Sequence, residues 1–323
     1  MPLVVRVPDE GDETYRFRTY LNYLVALDIF LKSEFQNNPV PFQNIVNSKA
    51  FRRIQGGRCR NFDIVERTLR NAWLSETQLY LPVRHPGLVA YANHWAPVQL
   101  YYSIFLAIRA FFYASGQEVA QNHSTTLRTI TSEVESHPEL FPYPWRATCI
   151  GDSKLDNLAY NNLPEGINVS PVSSLLSADR VEFWDSFGLF LKTTRSREIE
   201  KAIKEWKKRY KRKAIRKNER ERLVNGLGPI SIFHCFYRLR IRSNYDDAES
   251  FLVSLENTEE AERFHVALRR AAYYTLLVLE LIISQYVGRN RFSKWVEDFR
   301  ANDRLRLAGN LVRRQKAIQS FFD

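Results

Sequence analysis

The chain has 323 residues, 45% of them hydrophobic and 13% aromatic, and carries a net charge of +11. That apolar content can bury a large core, which excludes a disordered chain. With only 12 glycines and 13 prolines, and apolar residues recurring at helical spacing, a sheet-dominated fold is excluded too and an all-α fold is expected.

The first fifteen residues, acidic at "DEGDE", are expected to form an edge strand or nothing regular. The segment "YRFRTYLNYLVALDIFLKSEF" then places Phe17, Tyr20, Leu21, Leu24, Leu27 and Leu31 three and four apart, which predicts an amphipathic helix ended by Pro39 and Pro41. "NFDIVERTLRNAWLSETQLYL" predicts a second helix, closed by Pro82 and Pro86. "HWAPVQLYYSIFLAIRAFFYASG" is apolar nearly all round, so it predicts a buried helix that stops at Gly116. Its single charge, Arg109, must be paired or line a pocket or interface. "NHSTTLRTITSEVES" follows as a helix capped by Asn122 or Ser124.

Prolines and asparagines in "HPELFPYPW" and "NNLPEGINVSP" predict an irregular insertion without a fold of its own. "SLLSADRVEFWDSFGLFLK" reads as one helix or two short ones, and "NGLGP" is a breaker. Thr258, with acids in the next turn, starts a long apolar helix that Gly288 ends. Residues 271–288 of that helix are almost long enough to span a bilayer, but Glu280 and Gln285 inside it favour a buried core helix, and no membrane partner is expected. One or two helices close the chain. The expected divisions are a helical region at 1–86, a bundle from 87–136 with 228–290, an insertion at 137–227 and C-terminal helices at 291–323.

Cys59, Cys149 and Cys235 are far apart, without metal-ligand spacing, and are expected to be ordinary buried thiols. The opening "MPLVVRVPDEGDE" lacks a charged-then-apolar leader, so a reduced cytoplasmic location is expected. Phosphate-binding glycine loops, the nucleophile elbow and the zinc-binding His-Glu-x-x-His pattern are missing from the sequence. The two-glycine turn "QGGRC" is too short to cradle a nucleotide, and Asp246 and Asp247, as neighbours, point to different helix faces. Neither cofactor nor metal is expected.

The charge is unevenly placed. Residues 195–222 hold fourteen basic and five acidic side chains, about +9 in one segment. Within it Ile199, Ile203, Trp206, Tyr210, Ala214 and Ile215 recur three or four apart, so one stripe can dock while Lys204, Lys207, Lys208, Lys211, Arg212 and Arg216 face outward. Such a ribbon suits a phosphate backbone; an acidic protein, an anionic membrane surface or plain solvation are the rival readings.

The stretch "FYRLRIRSNYDDAESFL", residues 236–252, places arginines at every other position. On an α-helix Arg238, Arg242, Tyr245 and Glu249 share one stripe and Arg240, Asn244 and Asp247 another. Arginines beside a phenol suit phosphate, since the guanidinium fork binds two oxygens and stays charged. The bland alternative pairs Arg238 or Arg242 with Glu249 and Arg240 with Asp247.

"LYYSIFLAIRAFFYASG" followed by "NHSTTLRTI", and later "YRLRIRSNYDDAESFL" ahead of a long apolar helix, resembles the HEPN superfamily over residues 90–134 and 228–288. The resemblance implies a helical bundle from a prokaryotic toxin, anti-phage or RNA-processing system. It also implies an Arg-x(4 to 6)-His motif that, in a dimer, forms a metal-independent ribonuclease site. The motif arginine falls on Arg238 or Arg240 and the histidine position on Tyr245. A phenol titrates near 10, so the proton shuttle must come from elsewhere, with His123 or His234 as candidates and Tyr101, Tyr102 and Arg109 on the facing helix. The expected catalytic set is Arg238, Arg242, Tyr245 and His123, with Arg240 and the ribbon binding nucleic acid, RNA foremost. The expected assembly is a homodimer or a complex with a defence-system protein, and the alternative reading is a non-catalytic adaptor for a larger effector or sensor.

Overall fold

The computed structural model describes residues 12–54, 59–118, 122–153, 158–167, 169, 183–246, 248–252, 257–303 and 307–322. Of the first fifteen residues, expected to form an edge strand or nothing regular, 1–11 lie outside these residues, as do most of the "QGGRC" turn and the Asp247 side of the second arginine stripe, while 12–15 are already helical, in α1 (Asp12–Phe35).

The fold is all-α. In chain order its helices are α1 (Asp12–Phe35), α2 (Val40–Asn47), α3 (Lys49–Arg52), α4 (Phe62–Tyr80), α5 (Val89–Ala92), α6 (Ala96–Ser115) and α7 (His123–Ser136), followed by α8 (Phe183–Tyr210) and α9 (Lys217–Asn225). Next come α10 (Ile232–Ile241), a π-helical turn (Arg242–Asp246), α11 (Ala248–Leu252), α12 (Thr258–Val287), α13 (Arg289–Ala301) and α14 (Gly309–Ser320).

The apolar stripe of α1 is buried at every position the spacing selects, Phe17, Tyr20, Leu21, Leu24, Leu27 and Leu31. Asn61 caps α4 by accepting from the Ile64 N–H at 3.0 Å, and α6 ends where Gly116 turns left-handed at φ 77°. Helices α4, α6 and α12 pack together at the centre, with α1 laid on α12. Asn122 caps α7. For α12 the cap is Asn257, whose side chain accepts from the Glu260 N–H at 3.1 Å, and Thr258 is the first helical residue, where the sequence starts the helix. Arg109 is half-buried and donates to the Tyr113 hydroxyl one turn along α6.

The expected insertion has regular structure that its prolines hid. A three-stranded antiparallel sheet pairs β1 (Thr148–Ile150) with β2 (Ala159–Asn161) and with β3 (Ile230–Ser231), joining this stretch to the start of α10. Strands of two or three residues are too short to show a period of two. Trp145 nearby is buried and donates to Thr275 of α12 at 3.0 Å. Side chains from all four expected divisions join one core.

Within that core sits a charged cluster. Arg314 of α14, fully buried, donates to both carboxylate oxygens of Glu76 on α4 and, through Nε and Nη2 at 2.8 Å, to Glu280 on α12. The Trp73 indole donates to the same Glu280 at 2.9 Å. Burial raises the Glu280 pKa, while it opposes the charge on Arg314; there the two carboxylates prevail and hold the guanidinium well above its ordinary value. Glu280 is therefore a core anchor inside the most apolar helix. Among the described residues no helix is long and apolar enough to cross a membrane. The three cysteines are buried and free.

Removing the guanidinium strands two carboxylates in the core. Arg314→Met is expected to lower unfolding stability by about 3–5 kcal/mol, as for other broken buried pairs, and adding Glu76→Gln and Glu280→Gln should recover much of it. Urea denaturation followed by circular dichroism measures both; an unperturbed Arg314→Met would contradict the anchoring role.

Candidate functional site

Helix α10 starts with an N-terminal cap in which the Ser231 N–H donates to His234 Nδ1 at 3.3 Å. Burial, together with Arg195 and Arg128 nearby, pushes the His234 pKa down to about 3. An imidazole that accepts there stays neutral and is committed to the cap, which leaves it poorly placed to shuttle protons beside Arg238.

From that start the arginines of α10 diverge. Arg238 turns toward α8, where its Nη1 donates to Thr193 Oγ1 at 2.6 Å and Thr194 Oγ1 at 3.2 Å, and its guanidinium lies 5.7 Å from the Tyr20 ring centroid. Arg240 turns toward α6 and donates to the Tyr102 hydroxyl at 3.2 Å. Positions two apart on a helix do not share a face, so these two guanidinium groups do not converge. Among the described residues neither has a carboxylate partner, and the Nε of each is buried without a hydrogen bond. The Arg238–Glu249 pairing is not formed, and Glu249 is exposed.

The α-helical stripe drawn through Arg238, Arg242, Tyr245 and Glu249 is broken by the π-helical turn that Arg242 opens. A π turn brings residues five apart together. Accordingly Arg240 lies 5.5 Å from the ring centroid of Tyr245 and also 5.5 Å from that of Tyr102, held between two phenols. Tyr245 is 66% exposed, whereas Arg240 is half-buried with its Nε out of solvent.

His123 joins the same cluster from another element. As first residue of α7 it is half-buried, with Nδ1 2.8 Å from the Tyr101 hydroxyl and its ring packed on Phe105 at 4.5 Å and on Tyr237 at 5.5 Å and 28°. Burial raises the Tyr101 pKa above the ordinary phenol range, so the phenol keeps its proton. In a neutral ring protonated on Nδ1, that N–H donates to the Tyr101 oxygen and Nε2 keeps a free lone pair. Burial, then Arg240, lowers the His123 pKa. Three of the expected site residues, Arg240, Tyr245 and His123, are thus brought together; Arg238 belongs to a different face.

That other face is a groove of about 490 Å³ between α8 and α10. Arg197, Lys201 and Lys204 line it from α8, Tyr237, Arg238 and Ile241 from α10, and Glu198 and Glu200 are its acids. Burial raises the Glu198 pKa. Tyr237 is the joint between groove and cluster, since it also stacks on His123.

Beyond the groove α8 leaves the body of the protein. Its first half is buried through Ile199, and residues 200–223 contain no buried side chain. Lys211 is left-handed at φ 51° and separates α8 from α9, so the basic ribbon is two helices and the apolar stripe does not continue to Ala214 and Ile215. Trp206 packs on Tyr210 at 4.9 Å, with the Arg212 guanidinium 5.7 Å from the Trp206 ring. Lys204, Lys208, Lys211, Arg212 and Arg216 are exposed and Lys207 half-buried. Not every cation in the run belongs to the arm. Arg195 is 1% exposed and binds the carbonyls of Gly151, Val224, Leu227 and Gly228, closing the end of α9. Arg220 pairs with Asp152, and Arg212 with Glu219, each at 2.7 Å.

Thr193, Thr194 and Tyr20 escape sequence reasoning because they lie at least 44 residues from Arg238 and carry no motif. Among the described residues no group of three or more potential ligands could hold a metal ion. What the arrangement can do is bind oxyanions through Arg238 and Arg240, neither of which has a carboxylate partner among the described residues, with a neutral imidazole and a phenol beside Arg240.

The His123 ring should titrate below 6.5 in histidine-resolved NMR. Arg240→Gln should move it upward, though not fully to the ordinary value, because burial remains. A titration indifferent to Arg240 would separate the two groups. No known family model, curated protein or solved structure matches the chain.

Proposed function

We propose that this protein is a HEPN-like, RNA-binding component of a prokaryotic anti-phage defence or toxin system, working without a metal. The observation that carries the reading is the groove in which cations at the root of the basic arm, Arg197, Lys201 and Lys204, meet Arg238 and Tyr237. A polyanion drawn to the arm by counterion release would be led along α8 to α10. Around the edge of Tyr237 it would meet Arg240, set between Tyr102 and Tyr245, and His123. In the sequence the Arg-x(4)-Tyr spacing of Arg240 and Tyr245 stands where the family has a histidine; here His123 takes the place of the missing base from a different helix. With its Nδ1–H held by the Tyr101 oxygen, the neutral imidazole could accept the proton of a ribose hydroxyl on Nε2, with Arg240 stabilising the charge that develops on phosphate.

The test is fluorescence anisotropy of labelled single-stranded RNA over a range of salt, with matched DNA and duplex controls. Binding should weaken linearly on a log-log plot, and alanine at Lys204, Lys207, Lys208 and Lys211 should reduce the slope by about 0.7 for each phosphate no longer neutralised. Cleavage is assayed in excess chelator, where Arg240→Ala or His123→Ala should abolish whatever the parent protein degrades. RNA bound no better than the DNA controls, or a slope untouched by the four substitutions, would remove this reading.

A second reading, the non-catalytic adaptor, is favoured by one different surface. Leu81, Val83, Leu88, Tyr91 and Trp95, between α4 and α6, are each 38–63% exposed. A run of large apolar side chains in solvent suits a protein partner. If it holds a larger subunit, Tyr91→Ser with Trp95→Ser should abolish co-purification of that subunit and leave RNA affinity unchanged. Retained co-purification would discard the surface.

A further inference from the structure

A second set of arginines, which the RNA reading does not use, faces a cavity of about 610 Å³ bounded by the end of α1, the end of α4, α12 and α14. Arg269, Arg270 and Arg313 line it, and no acidic side chain does. Arg270 is satisfied by Asp28, 2.5 Å away and not part of the lining. The other two have no carboxylate partner among the described residues, Arg269 meeting only the Tyr80 side chain. Arg269 lies 4.6 Å from the Tyr80 ring centroid with its Nε buried and without a hydrogen bond, and Arg313 is exposed with no carboxylate partner among the described residues. Two uncompensated guanidinium groups at one opening call for an oxyanion.

The rest of the lining narrows the ligand. Tyr273 and Tyr274 meet edge to face at 5.1 Å and 90°, offering a flat face and a polar tip, and the Gln36 and Asn310 amides supply donors and acceptors. Inorganic phosphate would leave the rings and amides unused, whereas a purely apolar ligand would leave the arginines bare. The volume lies in the range of small-molecule sites, about 300–1,000 Å³. We propose that this cavity binds a nucleoside phosphate, with the phosphate on Arg269 and Arg313 and the base against the tyrosines and amides. The same chemistry is presented by a free nucleotide and by the phosphorylated 5′ end of a strand. The site is separate in residues from the α8–α10 groove, so either assignment can fail without the other.

Isothermal titration calorimetry decides it with AMP, adenosine and inorganic phosphate as probes, and with a tetranucleotide bearing either a 5′-phosphate or a 5′-hydroxyl. The tetranucleotide arm uses protein with alanine at Lys204, Lys207, Lys208 and Lys211, so that the basic arm does not contribute. AMP should bind at one site per chain and at least tenfold more tightly than adenosine or phosphate. Arg269→Gln and Arg313→Gln should each weaken it about tenfold or more, as expected for a charge-assisted bond. Arg313 is exposed, so that variant decides the matter even if Arg269→Gln fails to fold. AMP binding assigns the cavity to free nucleotides; 5′-phosphate-dependent, Arg313-dependent tetranucleotide binding without AMP binding assigns it to strand ends. Absence of saturable binding by either probe at millimolar concentration, or binding indifferent to Arg313, overturns the proposal.

Discussion

One guanidinium, two carboxylates and an indole tie together helices from the beginning, the late middle and the end of the chain. Arg314 comes from the last helix, Glu280 from the centre of the longest, and Glu76 and Trp73 from α4. Charges taken out of water are tolerated only where their hydrogen-bonding capacity is met by well-placed partners. A shift of any of these helices along its axis would leave a bare charge in the core. The cluster therefore fixes the register in which α4, α12 and α14 meet. Tyr80 at the end of α4, Arg269 on α12 and Arg313 next to the buried arginine take their places around one cavity as a result.

A comparable constraint acts at the other arginine-rich region, but there no carboxylate bonds Arg238 or Arg240 among the described residues. Arg238 and Arg240 are held by threonine and tyrosine hydroxyls and by aromatic faces. Such partners position a guanidinium without neutralising it, and that separates a site from an ion pair. The two groups serve different surfaces, one along α8 and one against α6, with Tyr237 touching both.

The helices were legible because burial imposes a period on sequence. The stripe of α1, the all-round apolar α6 and the capped α12 each declare themselves through the spacing of their apolar residues. What stayed hidden breaks that period or depends on distant residues. The π-helical turn adds a residue to one helical turn, so a stripe drawn at 3.6 residues per turn assigns Tyr245 to Arg242 when its partner is Arg240. Lys211 gives no compositional hint that it turns left-handed and divides the basic ribbon. Counting charges places Arg195 on the ribbon, although it is buried and binding carbonyls. Of the candidate site, the residue types were readable and their grouping was not. His123 meets Arg240 only through the packing of α7 against α10, and Thr193 meets Arg238 only through α8.

Helix α8 has 28 residues and is therefore about 42 Å long. One half is clamped in the core through Trp184, Phe187, Phe190, Leu191 and Ile199, and the other carries the lysines into solvent. The same unbroken helix carries Thr193 and Thr194, whose hydroxyls seat Arg238, so the exposed lysines and the seat of α10 belong to one rigid element.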